Sequence, residues 1–319
     1  MGSDTLRGSS ADEGPIRDGH VGAAGPSGDA HPGDGPPGES SPVGGSSGSA
    51  YLGACPPRSS STAEVPSEAS PGAQPEVLAE VVSSAENSFT GDLTDATTSR
   101  PSPTRFASCY AELAAAGATA IVSIHVSAEL SGTIDSARAA AREAPVPVEV
   151  IDSRSIAMGL GYPVLAAART AESGGTLDEV AAAAHRCLQT TQSFFYVDNL
   201  DYLRRSGRIG TAASLVGSAL MIKPLLHFVD GRISLLEKVR TASRAIARLE
   251  DLAVHAAGSG PVRIAVQHLN ASERAEALAE RLPKRLPDAV DLQVVEVGAE
   301  LGIHVGPGFL GLTVTPADG

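Results

Sequence analysis

Ser127, Ser131, Gly132 and Thr133 crowd one short stretch of the chain. An apolar, β-branched run from Thr119 to Val126 precedes them, and strong helix formers from Ile134 to Ala144 follow. A strand that enters a helix through such a loop aims hydroxyls, backbone N–H groups and the positive end of the helix dipole at one point. That point suits an anion, a phosphate or a carboxylate. Thr98, just ahead of a second helix start, adds another hydroxyl. Thr98 and Ser131 could both donate to one carboxylate, and charged acceptors make such bonds stronger than neutral ones. The plainer alternative is that both only cap helices, as Ser and Thr commonly do.

His304 falls within Gly302–Gly308, which reads as a glycine-rich turn. There it can donate to an anion, act as a base or simply pack. Arg208 and Arg240 sit on expected loops near helix starts, either as solvated charges or to recognise phosphate or a partner's carboxylates. His125 lies within the strand and reads as a core histidine. Asp152 and Ser153 follow a short strand, Val148 to Ile151, and read as support for the neighbouring loop. The chain has no Gly-x-Ser-x-Gly elbow, no Walker phosphate loop and no Gly-x-Gly-x-x-Gly helix opening. Binding is therefore favoured over catalysis. A serine-dependent hydrolase or transferase using Ser131 with His304 is the alternative, and a diverged chain that has lost binding is another.

The elements that must position these residues begin after a compositional break. Residues 1–74 are rich in Gly, Pro, Ser, Ala and Asp without apolar period, so they are expected to be disordered, with His20 and His31 solvated. Glu76 to Ser84 fits a short helix or a strand. Ser102 followed by Pro103 signals a capped helix with Phe106, Tyr110 and Leu113 on one face, closed by Gly117. Pro145 and Pro147 stop the helix after the hydroxyl loop. A long helix is expected from Ile156 to Gly174-Gly175, and Thr176 with Glu179 forms a capping box for the next, to about Thr190. Ser193 to Val197 reads as a strand, Asp198 as the cap of a short helix to Arg205, and a small-residue helix should follow Gly210. Asp230-Gly231 marks a hairpin between Pro224–Val229 and Arg232–Glu237. Thr241 to Ala257 and Ser272 to Leu282 read as helices; Val262 to His268, Val290 to Val297 and Phe309 to Val314 read as strands. Alternating strands and helices specify an α/β fold, with a mostly parallel sheet first and a mixed sheet after the hairpin.

The 42% hydrophobic content supplies a core, and the formal charge of −13 disfavours nucleic acid and anionic membranes as partners. No run is long and apolar enough for stable membrane insertion. Cys55, Cys109 and Cys187 have no metal-ligand spacing and read as incidental thiols of a reducing cytoplasm. Neither a metal nor a cofactor is expected.

Several motifs in order resemble the DegV family: Thr98-Ser99-Arg100-Pro101-Ser102-Pro103, Glu129-Leu130-Ser131-Gly132-Thr133 and Val150-Ile151-Asp152-Ser153. Asp201 to Ile209, Lys223-Pro224, Asp230-Gly231, Lys238-Val239-Arg240 and His304 to Gly308 continue the match to about Val314. The resemblance implies two α/β domains holding one long-chain fatty acid between them. It implies a non-enzyme that presents the acyl carboxylate to a dihydroxyacetone-kinase-like fatty acid kinase, which forms acyl phosphate. By motif, Thr98, Ser131 and His304 would hold the carboxylate. Ser99, Ser127, Asp152 and Ser153 would support them, and Arg208 and Arg240 would face the kinase. Arg100 stands where the motif most often has Gln. Family members also begin with a strand, a Thr-Asp-Ser-Thr-like turn and a β-α-β unit. The nearest match here, Ser60 to Pro66, lacks the strand and the Asp, and Val81 to Asp92 reads as a remnant of that unit. The expected division is therefore residues 1–74, a first domain of residues 75–160 truncated at its start, and a second of residues 161–319.

Overall fold

In the computed structural model the described residues are 96–215 and 222–317. The expectations for residues 1–74, for Glu76 to Ser84 and for Val81 to Asp92 lie outside them, as does the end of the small-residue helix after Gly210.

The first sheet has two strands, β1 (Ile121–His125) and β2 (Val148–Asp152), parallel and in register from Ile121 opposite Val148 to His125 opposite Asp152. Helices α1 (Pro103–Ala115) and α2 (Thr133–Ala141) cover one face, packing Tyr110, Ile121 and Ala140 together. The Ser102 side chain caps α1 by accepting from the Arg105 N–H, with Pro103 in the first turn. Helices α3 (Met158–Glu172) and α4 (Leu177–Thr190) cover the other face through Ala167, Ala171, Val180 and Ala184 on Ile151. Thr176 and Glu179 form the reciprocal capping box of α4. The helix expected from Ile156 starts at Met158, whose N–H is taken by the Gln267 side chain at 2.8 Å.

The second sheet adds β3 (Gln192–Tyr196), β4 (Lys223–Val229), β5 (Arg232–Val239), β6 (Val262–His268), β7 (Ala289–Glu296) and β8 (Leu310–Pro316). Their order is β5-β4-β3-β8-β6-β7; only β6 and β7 are parallel, so the sheet is mixed. Asp230 and Gly231 join β4 to β5 with φ of 50° and 79°, the two positive angles that a type I′ turn needs. One face is buried by α6 (Ala242–Ala257), α7 (Ser272–Ala279) and the one-turn α8 (Leu282–Arg285). The other face carries Phe195, Leu226, Ile233 and Phe309, and α5 (Asp201–Arg205), the 3-10 turn Gly210–Leu215 and α9 (Ala299–Val305) close around it. Ala96 and Leu130, from the segments around Thr98 and Ser131, pack against this second cluster. The apolar face of the mixed sheet therefore lies directly under the polar loops of the first.

Two local expectations are corrected. Asp198 does not cap α5, whose N-cap position is Leu200; the Asp201 N–H donates instead to the Asn199 side chain at 2.8 Å. The Asp198 carboxylate instead gathers Tyr196, Arg274 and Lys223, residues that sequence distance hides from a local reading. His304 lies in the last turn of α9 rather than in a glycine turn; the turn begins at Gly306, with φ 74°.

Candidate functional site

Thr98 Oγ1 lies 2.8 Å from His304 Nε2, a contact between positions 206 residues apart. Packing makes it: Ile303 and Val305 are buried in the apolar cluster, which turns α9 so that His304 faces Thr98. Burial lowers the His304 pKa, and the charge of Arg208 lowers it further. The imidazole is therefore neutral near pH 7 and carries one N–H. Its Nδ1 is buried without a hydrogen-bond partner. A buried acceptor left bare costs less than a buried N–H left bare. The favoured tautomer thus has Nε2–H donating to Thr98 Oγ1. The Thr98 hydroxyl proton is then free to donate outward.

The hydroxyl loop is held from three sides. Ser127 is fully buried; its hydroxyl donates to the Gly231 carbonyl at 2.8 Å and accepts from the Glu129 N–H at 3.2 Å. The hairpin turn is thereby locked to the loop, and a Cβ at Gly231 would fall 2.4 Å from Ser127 Oγ. Asp152 Oδ1 accepts from the N–H groups of Ala128 and Arg154, and Ser153 bonds within its own turn to Ser155. Ser131 and Thr133 share a hydroxyl–hydroxyl bond of 2.8 Å, and the Thr133 N–H donates to Ser131 Oγ at 3.3 Å. One of those two hydroxyl protons remains unused. Thr133, in the sequence only a member of the loop, is thus Ser131's partner. Ser131 makes no hydrogen bond to His304, so the nucleophile–base contact of the hydrolase alternative is not formed.

Two guanidinium groups bracket the loop. Arg208 Nε donates to the Leu130 carbonyl at 3.1 Å and Nη1 to the Ser206 carbonyl. Arg208, half-buried, therefore turns inward beside His304. Arg100 lies across Gly132, where a Cβ would come within 2.6 Å of Nη1 and 3.0 Å of Cδ. The φ of −74° at Gly132 suits any residue, so a side chain there would act only by displacing the exposed Arg100. The segment around Thr98 thus runs beside that around Ser131, with Ala96 and Leu130 in one cluster and Arg100 on Gly132. Ser99 and Arg240 are exposed. Arg100 was visible in the sequence only as a departure from a motif; its contact needs the fold.

Beneath this polar mouth lies the apolar cluster. Phe195 stacks at 5.5 Å from Phe228 and 5.8 Å from Phe309, tilted in both pairs, with Leu226 and Ile233 in the same layer. The arrangement offers hydrogen-bond donors and positive charge at one end and hydrocarbon below it.

A family model described as an uncharacterised protein of the DegV family matches residues 87–317. A DegV domain-containing protein of Streptomyces coelicolor is 60% identical over 219 residues, 69% of this chain and 78% of that protein. Among solved structures, a DegV family protein from Thermus thermophilus, described for its fatty acid binding, superposes with a TM-score of 0.66 at 32% identity, covering 69% of this chain and 79% of that one. DegV of Bacillus subtilis, described as a fatty acid binding protein, has a TM-score of 0.63 at 33% identity over 69% of this chain and 78% of that one.

Proposed function

Because this chain belongs to the DegV family, we propose that it binds one long-chain fatty acid between its two lobes and presents the carboxylate to a separate fatty acid kinase in the cytoplasm. The observation that carries this reading is the Thr98–His304 pair, set with Ser131 and Thr133 over the apolar layer of Phe195, Leu226 and Phe309. Thr98 and Ser131 donate to the carboxylate, and His304 fixes the Thr98 hydroxyl. Each buried methylene adds about 0.8 kcal/mol, so the tail supplies most of the affinity and the donors set direction. The fatty acid binding described for the Thermus and Bacillus proteins supports the same ligand class. Phosphoryl transfer belongs to the partner, a dihydroxyacetone-kinase-like protein that forms acyl phosphate, with Arg240 exposed for docking.

Solvent extraction of the purified protein followed by mass spectrometry tests the ligand. One equivalent of long-chain fatty acid is expected, with less in Ser131→Ala; a clean extract and failure to take up added oleate would sink the proposal. The kinase step is tested separately, by hydroxylamine trapping of acyl phosphate with the partner and ATP.

A further inference from the structure

The mouth of the site holds more positive charge than a carboxylate uses. Arg100 lies on Gly132 and Arg208 on the Leu130 carbonyl, so two guanidinium groups bracket the loop that carries Ser131. Arg100 and Arg208 form no ion pair among the described residues, and Arg208 donates to two carbonyl oxygens. Of the acids on and beside the loop, Glu129 pairs with Arg232 and Asp152 accepts two backbone N–H groups, while Asp135 in the first turn of α2 is exposed to solvent.

A carboxylate brings one charge and about four lone-pair positions. Thr98 and one hydroxyl of the Ser131–Thr133 pair already offer it two donors. A guanidinium adds a planar fork whose geometry matches phosphate as well as carboxylate. A phosphate monoester carries about −1.5 to −2 at pH 7 and presents three terminal oxygens. It could keep both hydroxyl bonds and still engage a fork.

We infer that Arg100 is a specificity-determining residue that lets the site take single-chain lipids ending in a phosphate monoester, and prefer them to fatty acids of the same length. This rests on the fatty acid reading above but goes beyond its ligand class. Arg208 positions the loop, while Arg100, reaching in from the exposed rim, supplies the second charge.

The test compares hexadecyl phosphate with palmitate by displacement of a fluorescent fatty acid, in the full chain and in Arg100→Gln and Arg100→Lys. The wild type should bind hexadecyl phosphate at least about tenfold more tightly, about 1.4 kcal/mol, with the margin shrinking as salt rises. Arg100→Gln should bring the ratio of the two affinities close to one, and Arg100→Lys should restore part of it. Inorganic phosphate alone should not displace the probe, since it lacks a tail. Equal affinity for the two lipids in the wild type, or a preference that survives Arg100→Gln, overturns the inference and leaves fatty acid binding standing. Failure of both lipids to bind overturns both.

Discussion

The most direct test of the headgroup geometry is a double-variant cycle on Thr98 and Ser131. Thr98→Val is close to isosteric and removes the hydroxyl that faces outward from His304 Nε2 at 2.8 Å. Ser131→Ala removes the partner of Thr133 Oγ1. A hydrogen bond to a charged group is worth about 1.5–3 kcal/mol net. Thr98 and Ser131 are both half-buried, so the lower half of that range applies, roughly 10- to 50-fold in Kd for palmitate. If both hydroxyls grip one carboxylate, the losses should not add; a coupling of about 0.5–1.5 kcal/mol is expected for residues sharing one ligand group. Two internal controls separate grip from general damage. Hexadecanol has the same tail without the charge and should lose far less. The difference between palmitate and myristate, two methylenes, should stay near 1.6 kcal/mol in every variant. Equal loss for palmitate and hexadecanol, or strict additivity of the single changes, would refute a shared carboxylate.

Ser127→Ala strips the Gly231 carbonyl of its buried donor and should cost about 1–3 kcal/mol in urea denaturation with an unchanged slope. Gly308 has φ 83° and a Cβ there would sit 2.0 Å from Asp198 Oδ2. Gly308→Ala should therefore lower stability by about 2–3 kcal/mol through strain and the disturbed Asp198 network, read by the same denaturation. Burial holds the His125 pKa at about 4 against an ordinary 6.5, while Asp152 pulls weakly the other way. The unfolded chain then binds the extra proton first, so stability falls with pH between those values. The contribution lost from pH 7 to pH 5 is about 2 kcal/mol, and His125→Gln should flatten the profile; a pH-independent midpoint would contradict the burial. Arg208→Gln should raise the His304 pKa, seen in an NMR titration of the imidazole, because one of the two influences lowering it is removed.

What the sequence made legible was local. Ser102 before Pro103, the Thr176–Glu179 box and the Asp230-Gly231 turn act over four residues or fewer, and each stands where its chemistry put it. The strand-loop-helix around Ser131 is of the same kind. What was hidden depends on partners far along the chain. Gly302 and Gly306 bracket His304 and mimic a turn, yet burial of Ile303 and Val305 makes the segment helical; packing overrides propensity there. Asp198 looks like a helix cap until Arg274, 76 residues later, and Lys223 reach it. With burial alone the carboxyl would titrate high, but Tyr196, Arg274 and Lys223 together hold it below its ordinary value. The inward turn of Arg208 is equally nonlocal, since its acceptor at Leu130 lies 78 residues away.

The first sheet has only two strands among the described residues, and a parallel pair of five-residue strands is not independently stable. Its support comes from the α3–α4 hairpin, which serves both sheets at once. Ala167, Val180 and Ala184 pack on Ile151 of β2, whereas Tyr162, Ala166 and Cys187 on the same two helices pack on Ala265 of β6. The hairpin turn of the second sheet returns the favour through Ser127 and the Gly231 carbonyl. Neither lobe can open along this seam without stripping apolar surface from both. The described residues should therefore unfold in one cooperative step, and bound fatty acid should raise the whole transition rather than part of it. Calorimetry with and without oleate distinguishes the cases: one transition that shifts as a unit fits the shared hairpin. Two transitions, only one of them moved by the lipid, would mean that the headgroup loop and the apolar layer belong to separately folding bodies. The ligand could not then bridge them as the geometry requires.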